Sequence, residues 1–449
     1  MAEQKSKLAL LGGNKTVDID PGNMFVWPII TDEDRQAAIE VLNAGNMSGM
    51  DISKKFEDEF KQWIGSEYAL TCPNGTSALQ EAMFAVGLGV GDEMIAPSMT
   101  YWASVLQIYS LGATVNFAEV DPETLCIDPA DIEKRITDRT KAIMVVHYLS
   151  SPCDMDPIME IAKKHNLKVI EDVSHAQGSL YKGRQLGTIG HVGAMSMMTA
   201  KSFAIGEAGM LVTDDRAIYE RSIIFGHYLR QEDPDTITDP QLKSQMGLPL
   251  GGYKNRLNQM TSAIGRVQLK YYPQRIAEID KAMNYFWDQL ELLPGIKAQR
   301  PPKDSGHYKG GWYCPAGLYF PEQLGGLSAI RFCQALQAEG VDAAIAGLNK
   351  PLHRHPVFST IDIYGHGKPT RSANSDRDLA QNEGSLPVTE AVSKRIVRIP
   401  HFKHNRPEVI DLYIAAYKKV INNYQDLLPG DDGNDNEVGG WNLSHTKKK

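Results

Sequence analysis

The chain has 449 residues, of which 42% are hydrophobic and 23% charged, the balance of a soluble globular protein long enough for two or three domains. Lys and Arg number 47 against 55 Asp and Glu, a formal charge of −8, which argues against a general nucleic-acid binder because such a protein needs a basic face. The five cysteines (Cys72, Cys126, Cys153, Cys314 and Cys333) are odd in number and have no CxxC spacing, so a disulfide framework and a zinc cluster are not expected and a reducing compartment is.

At the N-terminus the apolar run "LALL" stops at Gly12-Gly13, too short for the core of a signal peptide. No stretch approaches the roughly 18 apolar residues of a membrane span, and the expectation is a cytoplasmic protein without a membrane partner. From Glu67 onward short apolar strands alternate with helical stretches. "EYALTC" reads as a strand, "NGT" as a turn and "SALQEAMFAVGL" as a helix. "DEMIAP" is a second strand, "WASVLQIYSLG" a second helix and "ATVNFAEV" a third strand. "KAIMVVHYL" is a buried strand, "MDPIMEIAKKHN" an amphipathic helix and "LKVIEDV" a further strand; "GAMSMM" and "GMLVTDD" complete the set. This alternation predicts an α/β protein with a mainly parallel sheet covered by helices on both faces.

"TSAIGRVQLKYYPQ" predicts a helix leading out of that domain. "GIKAQRPP" and "GGWYCPAGLYF" predict strands, and "LSAIRFCQALQAEG" and "RPEVIDLYIAAYKKVINNY" helices, of a smaller α+β domain. The resulting division is an N-terminal arm over 1–30, a large domain over 31–270, a small C-terminal domain over 271–425 and a disordered tail over 426–449, where Gly, Asp and Asn dominate.

Sheets of this class bind ligands beyond the carboxyl ends of their strands, so the residues there are the candidates. Asn74-Gly75-Thr76-Ser77 follows the first strand. Its hydroxyls and N–H groups at a helix start suit a phosphate, and the same residues also make an ordinary helix cap. Tyr101 and Trp102 follow the second strand, where one aromatic ring can lie on a planar ligand and the other belong to the core. Glu171 and Asp172 end an apolar strand, a position where a carboxylate is costly without a positive partner, and His175 follows. The stretch "SMMTAKSFAIGEAGM" then places Ser196, Thr199 and Lys201 after a predicted strand. A lysine in a loop is ordinarily solvated. A lysine able to form a Schiff base, with an aspartate to pair a pyridine nitrogen, is the arrangement used with pyridoxal 5′-phosphate (PLP).

Together the segments "NGTSAL", "GVGDEMIAPSMTYWAS", "VHYLSSPCDMDPIMEIA", "VIEDVSHAQGSLYKGRQLG", "SMMTAKSFAIGEAGMLVTDD", "GYKNRLNQMTSAIGRVQL" and "LPVTEAVSKRIVRIPHF" resemble the DegT/DnrJ/EryC1/StrS family of PLP-dependent aminotransferases, in order and over nearly the whole chain. The early "LALLGGNKTVDID…MFVWPII" is most similar to the branch acting on inosose and related cyclic ketones. The resemblance implies PLP-dependent transferase fold type I and a homodimer with the site at its interface. It implies that Lys201 carries the Schiff base, Asp172 holds the pyridine nitrogen, Tyr101 stacks on the ring and His175 lies near the ring hydroxyl. Gly75, Thr76, Ser77 and Ser196 match the phosphate-binding positions, and Lys254 or Asn255 the partner-chain contact to the phosphate, the family's usual Asn being displaced or replaced here. "GEAG", with Ala208, departs from the common "GEGG".

The implied activity moves an amino group from glutamate or glutamine to a cyclic ketone, a nucleotide-linked keto sugar or an inosose. The alternatives are a PLP-dependent dehydratase or lyase, and a PLP-holding regulator without turnover. Some relatives have histidine at the lysine position and perform dehydration instead, so the resemblance with Lys201 present favours transamination. His147, His353 and His355 have no recognisable ligand spacing beyond the His353-x-His355 pair, and no metal is expected. His227 and Tyr228 are candidates to approach substrate, and Arg230, Lys309, Arg354 and Arg371 to meet a diphosphate.

Overall fold

A computed structural model describes residues 7–232, 235–248, 250–433 and 438–441. Apolar five- to seven-residue runs form its central sheet: β1 (Tyr68–Cys72), β2 (Glu93–Pro97), β3 (Thr114–Ala118), β4 (Thr140–Val146) and β5 (Lys168–Asp172). After a short hairpin, β6 (Leu180–Tyr181) and β7 (Arg184–Gln185), come β8 (Val192–Ser196) and β9 (Gly209–Thr213). The order is β1-β9-β8-β5-β4-β2-β3. Only β9 runs antiparallel to its neighbours, so β1, β2, β5 and β8 all bring their carboxyl ends to one edge.

Helices α2 (Asp51–Ile64) and α3 (Gly75–Ala85) pack against this sheet, and α1 (Asp32–Ala44) packs on the long helix Gln259–Leu290. Asn74 caps α3 by accepting from the Ser77 N–H, the role its residue type favours. The predicted helix after β2 is instead two 3₁₀ segments, Trp102–Ser104 and Leu106–Leu111. Val105 between them, at φ −139° and ψ −29°, leaves helical geometry.

Strands β10 (Ile296–Ala298), β11 (Ala316–Tyr319), β12 (Ile345–Ala346) and β13 (Ile396–Arg398) make a second, antiparallel sheet in the order β10-β11-β13-β12. Helices Ala329–Ala338 and Pro407–Asn422 accompany it. The helix predicted at 261–274 spans Gln259–Leu290 and continues through Pro273. Leu269, Tyr272 and Ile276 of this helix join the core of the large sheet, whereas Ile279, Met283, Phe286, Trp287 and Leu290 join the core of the small one. Leu8, Val17 and Met24 from the arm enter that second core as well. The Glu339 carboxylate ties the arm down by accepting from Ala9 N (2.8 Å), Thr16 N (3.1 Å) and Thr16 Oγ1 (2.6 Å).

The disorder expected from residue 426 is not seen in the described part of the tail. Leu427 is buried, Asp431 accepts from Ser328 N and Oγ (2.6 Å each), and Gly440 bridges Asn349 in parallel register. Trp441 packs edge-on against His355, ring centroids 4.9 Å apart. Residues 434–437 and 442–449 lie outside the described residues. Among the described residues no helix is long and apolar enough to cross a membrane.

An edge strand left bare is a template for aggregation, and β3 is covered by chain from far away. The Gln381 amide donates to Phe117 O (2.7 Å) and accepts from Phe117 N (2.8 Å). Just beyond the strand, Val120 N donates to Thr389 Oγ1 (3.0 Å). Gln381→Leu strands two buried backbone groups, at about 1–3 kcal/mol for each. The expected outcome is a urea midpoint clearly below that of the parent; an unchanged midpoint contradicts this role.

Candidate active site

The carboxyl edge of the large sheet opens into a cleft of about 810 Å³ that also receives Phe25 and Trp27 from the arm and residues from the second sheet. Gly75, Thr76, Tyr101, Asp172, His175, Ser196 and Lys201 all line it. Each stands at a strand end or just after one, which is why residues distant in sequence meet here.

At the first strand end only glycine fits. A Cβ on Gly75 would lie 2.5 Å from the Ser196 Cβ, so the bare backbone lets the start of α3 approach the end of β8. Ser196 N donates to Ser174 Oγ (3.0 Å). Thr76 and Ser196 thus come together at a helix N-terminus, the place where backbone N–H groups and the helix dipole suit a phosphate. Ser77 is not among the cleft-lining residues; its N–H is taken by Asn74 (2.9 Å).

Asp172 ends β5 almost fully buried. Its Oδ2 accepts from Ser104 Oγ (2.7 Å) and its Oδ1 from Ser174 N (2.9 Å), and Ser104 Oγ lies 2.8 Å from Thr100 Oγ1. One donor on each oxygen fixes the carboxylate without neutralising it. The adjacent Glu171 faces the other way. It accepts from Gly187 N (2.8 Å), Ile189 N (2.7 Å), Gly190 N (2.5 Å) and His147 Nε2 (2.9 Å). Cys153 N donates to His147 Nδ1 (3.1 Å), so Nε2 is the nitrogen that donates to Glu171, and the ring braces β5 from behind.

Leu149 and Ser150 adopt positive φ, 52° and 68°, a strained turn for residues with side chains. The turn lets Leu149 N donate to His175 Nδ1 (3.4 Å) and Ser150 Oγ to His175 O (2.5 Å), leaving the imidazole proton on Nε2. Burial, and then the charge of Lys201, hold the His175 pKa well below its usual value. The ring lies 4.5 Å from Tyr313 and 5.5 Å from Tyr148.

Lys201 is 8% exposed. Its backbone N donates to Met198 O (2.7 Å) and its carbonyl accepts from the Trp27 indole (2.8 Å). Its Nζ sits 4.3 Å from the Tyr313 ring centroid. Burial lowers the amine's pKa, and the charges of Asp172 and Cys314 oppose that shift. A buried amine moved toward its neutral form is fit to act as a base or nucleophile.

Other candidates lie elsewhere. Lys254 is exposed and outside the cleft. Asn255 is buried, its N–H donating to Gly226 O (2.9 Å) and its side-chain amide to Glu81 Oε2 (2.7 Å). His227 is 3.0 Å from both Glu81 oxygens, an internal brace of α3. His353 is held by Ser98 and Glu390, and His355 Nδ1 accepts from Val357 N. Arg230 pairs with Glu57, Arg354 with Glu383 and Arg371 with Asp378, while Lys309 donates to Gln299. None of these four lines the cleft. The sequence reading missed Trp27, Tyr313, Arg398 and Lys403, which do. The signal for the last two was the same rule used on the large sheet, since both follow or end β13.

The architecture, a large mostly parallel sheet with helices and a smaller α+β unit, is that of PLP-dependent transferases of fold type I. A sequence model of the DegT/DnrJ/EryC1/StrS aminotransferase family matches residues 28–417. GDP-perosamine synthase of Escherichia coli O157:H7 is 40% identical over 285 residues, 62% of this chain and 74% of that one. L-glutamine:scyllo-inosose aminotransferase of Streptomyces griseus is 29% identical over 441 residues, 94% and 99% of the two chains. Among solved structures, an aminotransferase from Psychrobacter cryohalolentis superposes with a TM-score of 0.75 at 28% identity, covering 89% of this chain and all of that one. The chain belongs to the DegT/DnrJ/EryC1/StrS aminotransferase family and is a PLP-dependent aminotransferase. The residues present suit the cofactor: an amine, a fixed carboxylate, an aromatic ring and a helix N-terminus line one cleft, with Gly75 letting that helix start lie against Ser196.

Lys309, away from the cleft, gives a test of the burial argument. Burial pushes its pKa from 10.5 down to about 7. Between those values the unfolded chain binds more protons than the folded one, so this group makes stability rise with pH. The stability of the parent relative to Lys309→Met should therefore increase from pH 7 to pH 9 in paired thermal melts. A difference that is flat or shrinks over that range contradicts the assignment.

Proposed function

We propose that the enzyme transfers the amino group of glutamine or glutamate to the carbonyl carbon of a cyclic ketone, either a nucleotide-linked keto sugar or an inosose-type cyclitol. The observation that carries this reading is the intact amine of Lys201 in the same cleft as the fixed carboxylate of Asp172. The names of the relatives support both acceptor classes.

When bound, PLP supplies an electron sink that stabilises negative charge on the carbon bearing the amino nitrogen. Asp172 would pair with its pyridine nitrogen and keep that nitrogen protonated, and Tyr101 would cover the ring. Thr76, Ser196 and the start of α3 would seat the phosphate, with Ser77 behind them in the turn. Lys201 Nζ removes the proton from the donor's α-carbon, and in the second half of the cycle delivers one to the acceptor carbon that receives nitrogen. The amine must be neutral to accept a proton, which burial favours. His175, kept neutral, offers its Nε2–H as a donor rather than a second positive charge. Trp27 and Phe25, on the arm side of the cleft, limit the entry of water. The assembly we infer is a homodimer, in which exposed Lys254 meets the partner's phosphate and Asn255, anchored on Glu81, fixes the segment that presents it.

The test is a half-reaction. Purified holoenzyme mixed with glutamine or glutamate alone should pass spectroscopically from its pyridoxal to its pyridoxamine form. A panel of keto sugars and inososes should then reverse the change. Lys201→Ala should slow the proton transfer by about 10²–10⁴-fold with the fold intact by circular dichroism. Normal turnover by that variant, or no half-reaction with any amino donor, contradicts the reading.

A further inference from the structure

The wall of the cleft opposite the large sheet has no role in the chemistry above. It is formed where β13 ends, by Arg398, Ile399, His401 and Lys403. Lys403 is only 6% exposed. Its backbone N donates to Met24 O (2.9 Å), which joins this wall to the arm. Its Nζ lies 3.0 Å and 3.1 Å from the two ring nitrogens of His401 and 4.5 Å from the Trp27 ring centroid.

The donor arithmetic at this ammonium leaves something over. His401 Nε2 is 2.9 Å from the carbonyl of Gly311, which can only accept, so the His401 proton is on Nε2 and Nδ1 carries the lone pair. Lys403 Nζ is nearly equidistant from the two ring nitrogens, so it lies against the ring face and His401 takes up at most one of its donors. The face of Trp27 accommodates positive charge by cation–π attraction. An ammonium has three donors, and among the described residues no carboxylate forms an ion pair with this one. Burial pushes its pKa down to about 7, and the charge of Cys314 opposes that shift. A buried ammonium in that condition is costly unless an anion meets it, and the cleft it lines is where a substrate enters. Lys201 differs, because the charge of Asp172 already acts on it.

We propose that Lys403, steadied by His401 and Trp27, binds an anionic oxygen group carried by the reacting molecule, a carboxylate or a phosphate. The inference rests on the reading of this cleft as the substrate site. The site lies on the second sheet whereas Asp172 lies on the first, so an anion held there would fix the reacting carbon between the two.

The test uses holoenzyme, with glutarate as a carboxylate probe that has no amine to transfer and inorganic pyrophosphate as a phosphate probe. Binding is read by titration calorimetry for the parent, Lys403→Met and Lys403→Arg. The parent should bind at least one probe, the Met variant should bind it about tenfold or more weakly, and the Arg variant should stay within a few-fold of the parent. Loss confined to glutarate assigns the group to a carboxylate, and loss confined to pyrophosphate to a phosphate. The Met variant should keep its cofactor and melt no lower than the parent, because it removes an unbalanced buried charge; should it fail to fold, Lys403→Gln gives the same comparison. Failure of the parent to bind either probe, or equal binding by parent and Met variant, overturns the proposal. Failure of the aminotransferase reading looks different: the parent would bind a probe through Lys403 and yet show no half-reaction.

Discussion

The site depends on a carboxylate and an amine buried in one cleft. Asp172 and Lys201 are both nearly excluded from water, where opposite charges act on each other far more strongly than in solvent. Burial drives the lysine toward its neutral form while the aspartate's field draws it back. The net result of that opposition is a shift toward the neutral amine. Asp172 itself is held by Ser104 and Ser174, so its field has a fixed origin. Much of the surrounding structure serves to hold these two groups in place. Glu171 and His147 brace β5 from behind, Trp27 holds the lysine's carbonyl, and Tyr313 lies against the amine.

The sheet topology explains how side chains so far apart in sequence converge. Six parallel strands end at one edge, and four of them, β1, β2, β5 and β8, end in a residue with chemistry in its side chain or a turn that supplies one. The approach of α3 to β8 is closer than any side chain on Gly75 would allow. The second sheet contributes the opposite wall, and the arm closes one side by entering the core of that sheet through Leu8, Val17 and Met24. The two cores share the helix Gln259–Leu290, whose buried face passes from one to the other between Ile276 and Ile279.

Much of this was legible in the sequence because the relevant signals are local. Alternation of short apolar runs with helical stretches gave the large sheet, and the rule that ligands sit beyond strand ends led to Thr76, Tyr101, Asp172, His175, Ser196 and Lys201. What was missed depends on long-range placement. Trp27 reaches the cleft from the arm, and Tyr313 does so from a loop in which Trp312 and Cys314 both take positive φ; no periodicity marks either. Gln381 reads as a polar loop residue, yet it replaces a missing strand partner for Phe117. The basic residues picked for a diphosphate were the reverse error. Arg230, Arg354 and Arg371 have their own carboxylates, whereas Lys403, with none among the described residues, follows β13 in "RIPHFKHN", a strand end of the second sheet to which the same rule extends. The tail's composition suggested disorder, but Leu427 and Trp441 pack through single large side chains that a compositional reading averages away.

On the proposed reading one amine, Lys201, holds the cofactor. Holoenzyme reduced with borohydride, digested and mapped by mass spectrometry tests it most directly. The expected result is a single phosphopyridoxyl adduct on the peptide containing Lys201. An adduct on Lys403 or Lys309 instead, or no adduct on any lysine of a yellow protein, contradicts it.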